Sequence, residues 1–322
     1  MPIFEMPLDE LRLYQGRNPR PDDFDAYWSD ALAELATVDS QVDLQRVDHP
    51  AAFADCFDLR FTGVGRARIY AKYLRPRVQA SAGHPAVVVF HGYSGRSPDW
   101  FSLLPYVAQG MCVAALDCRG QGGQSEDVGG VVGNTLNGHI IRGLLDSPRK
   151  LLYRQIFLDC VQLTRIVMAL PEVDAGRLGV TGASQGGGLS LACAALEPRV
   201  KLAAPIYPFL SDYLRTWEMD LDVDAYEELR QFFRRFDPRH ERKDEIFRTL
   251  GYIDVQHLAP RIQGRVLLAV GLMDTLCAPS TQFAAYNKIA AASKELVIYP
   301  DFAHETLPDL ADRIFSFLCT GL

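Results

Sequence analysis

From residue 85 onward the chain repeats one unit: a short apolar run, a loop, and a stretch with helical spacing. The runs at 86–90 and 111–116 are apolar throughout, and those at 177–181, 201–206, 265–270 and 295–299 are mostly apolar after a charged first residue. Strands of that kind are buried on both faces, which only a parallel sheet covered by helices achieves. The covering helices read at 151–170, where Pro171 stops the pattern, and at 184–196, 279–291 and 307–318. This alternation dictates an α/β fold with a mostly parallel central sheet. Residues 40–80 alternate polar and apolar instead, most clearly over Arg66–Tyr73, and read as an antiparallel edge of the same sheet.

Two segments fall outside the repeat. Residues 1–35 mix aromatic and acidic positions, as in Phe24-Asp25-Ala26-Tyr27-Trp28, and read as an N-terminal helical extension. Residues 208–260, with Tyr226, Phe232, Phe233 and Phe236, read as a helical insertion between two sheet strands. Its aromatics either pack against the main body or form part of a site wall. With these additions 322 residues fit one domain, 1–322.

The net charge of −7 argues against nucleic acid or anionic lipid as partner. No apolar run reaches the roughly 20 residues of a membrane helix. The seven cysteines form no Cys-x-x-Cys pair, and Cys112, Cys160 and Cys193 sit in apolar patterns as core residues. That usage fits a reducing compartment. The N-terminus soon carries Asp9 and Glu10 and lacks a basic segment followed by an apolar one. The expected location is cytoplasmic.

The chemistry begins at Gly182-Ala183-Ser184-Gln185-Gly186. The Gly-x-Ser-x-Gly pattern follows an expected strand and precedes an expected helix, which is the context of a nucleophile elbow in the α/β-hydrolase fold. Ser184 is the expected nucleophile, and the helix start favours negative charge beside it. A serine needs a base, and His304 lies just past the last strand. The base needs a carboxylate. Asp274 follows the strand at 265–270, and the order Ser184, Asp274, His304 is that of the fold. Asp301, three residues before the histidine, is the rival acid. Oxyanion donors are expected at the backbone N–H of Gln185 and, from the loop after 86–90, of Tyr93.

Taken together, these segments resemble the cephalosporin C deacetylase and acetyl xylan esterase family, carbohydrate esterase family seven. The resemblance is carried by Arg119-Gly120-Gln121, by 182–188 and by His304-Glu305. Gly143-Leu144-Leu145-Asp146, Tyr252-Ile253-Asp254, Gly271–Asp274 with Pro279-Ser280-Thr281, Pro7–Leu11 and Asp25–Trp28 add to it. The glycine-rich stretch 125–137 is not among the segments matched to the family. The resemblance implies deacetylation of small acetylated sugars and of cephalosporin C. It also implies a cytoplasmic homohexamer with active sites facing an internal cavity. Arg119, Gly120 and Gln121 are expected to be structural, the arginine fork holding carbonyls or a carboxylate. Glu305 either bonds near the base or starts the last helix.

Two other functions compete. A serine peptidase of the same fold usually carries a large extra domain, and no such domain is evident. A catalytically inactive hydrolase-fold binding protein would not need all three triad residues. No dinucleotide, Walker or His-Glu-x-x-His motif occurs, so neither cofactor nor metal is expected.

Overall fold

The apolar runs form the centre of a nine-stranded sheet. The computed structural model describes residues 5–131 and 138–322. The first four residues of the expected extension, and 132–137 of the glycine-rich stretch, lie outside the described residues. The strands are β1 (Asp43–Val47), β2 (Ala54–Thr62), β3 (Arg68–Pro76), β4 (His84–Phe90), β5 (Cys112–Leu116), β6 (Val173–Ala183), β7 (Leu202–Ile206), β8 (Arg265–Gly271) and β9 (Lys294–Tyr299). Their order is β1-β2-β3-β5-β4-β6-β7-β8-β9. The first four in that order are joined antiparallel, as the alternation at 40–80 predicts, and the remaining pairs are parallel.

The strand order reverses around β4, which has β5 on one side and β6 on the other. Such a switch point opens a crevice at the carboxyl ends of the strands, where ligands bind in open α/β sheets. The loops that leave β4 and β6 at this end carry Tyr93 and Ser184.

The helices are α1 (Leu8–Leu11), α2 (Phe24–Ala36), α3 (Trp100–Ala108), α4 (Leu152–Ala169), α5 (Gln185–Leu196), α6 (Tyr213–Glu218), α7 (Glu227–Phe236), α8 (Lys243–Leu250), α9 (Val255–Leu258), α10 (Pro279–Lys288) and α11 (Leu310–Gly321). Every residue of α5 is buried, which its run of glycine, alanine and small residues permits. α3 is not foreshadowed by the sequence pattern, because Pro105 interrupts it. α10 ends at Lys288, before the expected 291, where Ile289 is extended. α11 starts at Leu310 rather than 307, behind a left-handed Asp309. Among the described residues no helix is long and apolar enough to cross a membrane.

The extension contains α1 and α2 with irregular chain between them. Trp28 is fully buried, stacks on Phe157 of α4 at 5.8 Å, and donates Nε1–H to Tyr252 O at 3.0 Å. Asp212 accepts from Tyr14 Oη at 2.7 Å and from the backbone N–H of Asn18 at 2.8 Å. Buried Glu5 accepts from the N–H of Ser280 at 2.9 Å, at the start of α10. The expected insertion holds α6 to α9 between β7 and β8. Tyr226, Phe232 and Phe233 are buried within it, so its aromatics pack rather than wall a site. Cys112, Cys160 and Cys193 are fully buried free thiols, as expected of core residues.

Candidate active site

Ser184 stands between β6 and α5 with φ 58° and ψ −118°. The expected helix therefore begins one residue later, and the serine occupies a left-handed turn. A non-glycine residue there stores about 1–3 kcal/mol of strain, held by the surrounding structure. Here the holding bonds are visible. Ser184 N–H donates to Ile206 O at 2.9 Å, and its carbonyl accepts from the N–H of Phe209 at 3.0 Å. The flanking glycines are required by contact. A Cβ at Gly182 would lie 2.4 Å from Phe90 O, and one at Gly186 only 2.2 Å from it.

Asp274 and His304 leave the neighbouring strands β8 and β9. Nδ1 of His304 donates to Oδ2 of Asp274 at 2.8 Å. Asp274 is fully buried, and its Oδ1 accepts from the N–H of Leu276 at 2.9 Å and of Cys277 at 2.8 Å. The Nδ1–H tautomer leaves Nε2 of His304 as the basic atom. The ring lies against Tyr207, centroids 4.4 Å apart. Asp301 is exposed, so Asp274 is the carboxylate that meets the histidine.

Cys277 joins the group from below. Its thiol is within hydrogen-bonding reach of Ser184, and burial pushes that thiol well above its ordinary pKa. Its sulfur, the Asp274 carboxylate and a His304 ring nitrogen all lie within 4.8 Å of one another, a spacing that could hold a metal ion. Asp274 and His304 are already hydrogen-bonded to each other, and burial favours the protonated thiol of Cys277. The arrangement is better suited to proton transfer than to ligation.

The expected oxyanion donors lie in the loop after β4 and at the start of α5. Among the described residues, no acceptor is paired with the backbone N–H of Tyr93 or of Gln185. The Gln185 side chain fixes the two segments together. Its Oε1 accepts from Tyr153 Oη at 2.7 Å and from Gln121 Nε2 at 2.9 Å. Its Nε2 donates to the carbonyls of His91 and Gly92, each at 3.4 Å. His91 is buried in the same loop, accepts from the N–H of Cys118 at 2.9 Å, and donates Nδ1–H to Gly92 O at 2.7 Å. Burial lowers its pKa and keeps it neutral.

Arg119 takes both structural roles expected of it. Its Nε and one terminal nitrogen donate to Asp159 of α4 at 2.6 Å each, and the other donates to Val64 O at 3.1 Å. Both side chains are buried. Gly120 has φ +67°, and a Cβ there would meet Asp127. Gln121 acts on Gln185, as described. Glu305 accepts from the N–H of Ala303 at 3.0 Å, next to the base. It does not start the last helix, which begins five residues later because Pro308 and Asp309 intervene.

A cavity of about 620 Å³ opens beside Tyr93, walled by Ser94, His139, Glu227, Glu228, Gln231 and Arg235. Of Tyr207-Pro208-Phe209, only Tyr207 reaches His304. Phe209 is fully buried behind Tyr93, 5.6 Å from it and 4.3 Å from Tyr226. Glu228, Tyr153 and Cys277 are site neighbours that the sequence did not reveal. Glu228 and Tyr153 come from segments remote from the motifs, and only the tertiary fold brings them there; Cys277 lies three residues after Asp274, where it looks like one more apolar core cysteine.

The model of the acetyl xylan esterase family matches residues 1–321 of the chain. Acetyl xylan esterase 1 from Thermoanaerobacterium sp. is 56% identical, with TM-score 0.96 over 98% of this chain and 99% of that one. An acetyl xylan esterase from Paenibacillus sp. is 37% identical, with TM-score 0.94 over 98% of this chain and 100% of that one. An acetyl esterase of Xylanibacter ruminicola is 29% identical over 295 residues, 89% of this chain, and the match spans 64% of that protein. The chain belongs to the acetyl xylan esterase family.

Proposed function

We propose that the protein is a serine esterase that removes acetyl groups from small acetylated substrates through an acyl-enzyme. The observation that carries this reading is the Asp274–His304 hydrogen bond, set beside the strained Ser184 turn at the sheet's switch point. In this reaction Ser184 Oγ attacks the acetyl carbonyl carbon while Nε2 of His304 takes its proton. Asp274 holds the tautomer and stabilises the imidazolium. The carbonyl oxygen becomes an oxyanion received by the N–H groups of Tyr93 and Gln185 at the positive end of α5. Collapse breaks the ester bond, and the leaving alcohol takes the proton from His304. Water then attacks the acetyl-serine by the same route and releases acetate.

The relatives named as acetyl xylan esterases and as an acetyl esterase support an acetyl ester as substrate. Acetylated xylo-oligosaccharides and cephalosporin C are the compounds we propose. The polar cavity beside Tyr93 suits a hydroxyl-rich leaving group, and Tyr207 against the base limits the acyl side. Each methylene forced into a packed pocket is unfavourable, about 1–3 kcal/mol for an overpacked site.

The test uses p-nitrophenyl acetate, butyrate and octanoate with wild type and Ser184→Ala. Acetate should lead octanoate in kcat/KM by roughly tenfold or more, and the variant should lose on the order of 10⁶ in turnover while staying folded. An active Ser184→Ala would remove the nucleophile. A maximum at octanoate would replace the deacetylase reading with that of a lipase-like enzyme.

A further inference from the structure

We propose that Glu228 is a positioning residue for the oxyanion hole: its carboxylate clamps the Tyr93 loop and the chain at 139–141 to α7. This rests on the esterase reading, because Tyr93 matters through the backbone N–H that receives the oxyanion.

Three donors from two segments far apart in sequence converge on this one side chain. Tyr93 Oη donates to Oε1 at 2.5 Å, His139 N–H donates to Oε1 at 3.1 Å, and Ile141 N–H donates to Oε2 at 2.8 Å. The His139 N–H also reaches Tyr93 Oη at 3.3 Å, and the His139 ring lies 4.9 Å from the tyrosine ring. Glu228 itself is 5% exposed. Gly138 lets the chain come this close, since a Cβ there would lie 2.3 Å from the Glu228 carboxyl carbon.

The geometry gives the carboxylate a specific task. Every partner named above can donate, and a carboxylate offers acceptor sites on both oxygens to receive them; burial pushes its pKa up to about 7 while these donors pull it down. A buried carboxylate is costly, and an apolar residue would fill the volume more cheaply if filling were all that was needed. The adjoining residue Ser94 has φ 56°, so the backbone that presents the Tyr93 N–H is a turn that needs holding. The phenol bonded to Glu228 fixes one side of that turn, and the Gln185 amide bonded to the His91 and Gly92 carbonyls fixes the other. A donor aimed before the reaction begins is what an oxyanion hole requires. Glu227, Gln231 and Arg235 line the cavity from the same helix at intervals of four. The clamp therefore also ties the cavity wall to the oxyanion loop.

The test compares Glu228→Gln, Tyr93→Phe and the double variant, using p-nitrophenyl acetate and the serine-directed probe phenylboronic acid. The boronate forms a tetrahedral adduct whose oxygen sits where the oxyanion would. Removing a donor outright costs about 10²–10³ in kcat, so loosening one should cost roughly 10–100-fold. KM should stay within about threefold, boronate affinity should fall with kcat, and the double variant should be no worse than the weaker single one. A merely structural role would lower Tm and leave kcat and boronate affinity in place. Folded single variants with kcat within about twofold of wild type, or losses that multiply in the double variant, would overturn the proposal. If Glu228→Gln does not fold, Tyr93→Phe decides alone by the same readouts. Ser184→Ala is run beside them. If it is inactive while both clamp variants are normal, only this inference falls; if it is active, the esterase reading falls first.

Discussion

His304 Nδ1 stands 2.8 Å from Asp274 Oδ2, although 30 residues separate them in the chain. The meeting is set by strand register. β8 and β9 run parallel, with Gly271 opposite Tyr299, so the two loops leave the sheet side by side. Backbone bonds from Leu272 N–H to Tyr299 O at 3.0 Å and from Met273 N–H to Phe302 O at 2.9 Å then sew the loops together. Asp274 reaches His304 because the backbone has already delivered it there.

Asp274→Asn should leave the protein folded and cost on the order of 10⁴ in kcat, by favouring the wrong imidazole tautomer. Asp301→Asn should stay near wild type. Steady-state kinetics on p-nitrophenyl acetate settle the matter, and a large loss at Asp301 instead would reverse the assignment.

The α/β architecture was legible because unbroken apolar runs such as Ala86–Phe90 have few other uses. Ser184, Asp274 and His304 were legible because each follows such a run at the same end of the sheet. Element ends were not, since they depend on single backbone angles: Ser184 reads as the first helical residue and is the last residue of the turn. Nor could the sequence show that Phe209 turns inward to Tyr226 while Tyr207 turns to His304. Glu228 carries no local signal at all. It looks like any first-turn glutamate of an amphipathic helix, and only the fold places Tyr93 over it.

Arg119→Ala should destabilise the protein by about 3–5 kcal/mol, because it strands Asp159 in the interior without a partner. Burial already pushes Asp159 above the ordinary carboxylate range, even with Arg119 pulling it down. Urea unfolding measures the loss. A change below about 1 kcal/mol would mean that the pair behaves like a surface bridge.

Stability should depend on pH through Asp254, which is fully buried near Asp212 and Lys288. Burial, then the Asp212 charge, raises its pKa from 3.8 to about 7. The folded state thus holds this proton more tightly than the unfolded state does. Its contribution is present at low pH and is lost as pH rises through the folded value. Asp254→Asn should flatten the decline of the urea midpoint between about pH 4 and 7. An unchanged slope would contradict this.

Assembly as a hexamer, probed by light scattering, is expected from the family resemblance, as a trimer of dimers. A monomer at working concentration would remove that expectation and leave the site chemistry untouched.

The bond between Glu5 and Ser280 spans 275 positions of the chain. A ribosome adds roughly 5–20 residues per second. Glu5 therefore waits on the order of tens of seconds for its partner. Ser280 opens α10, directly after the loop that carries Asp274. During synthesis the elbow and the central strands emerge well before the acid, the base and the arm's docking site. On the proposed mechanism a nascent chain would turn over no ester until its final portion is made, and Trp28 lacks its Phe157 partner until α4 arrives.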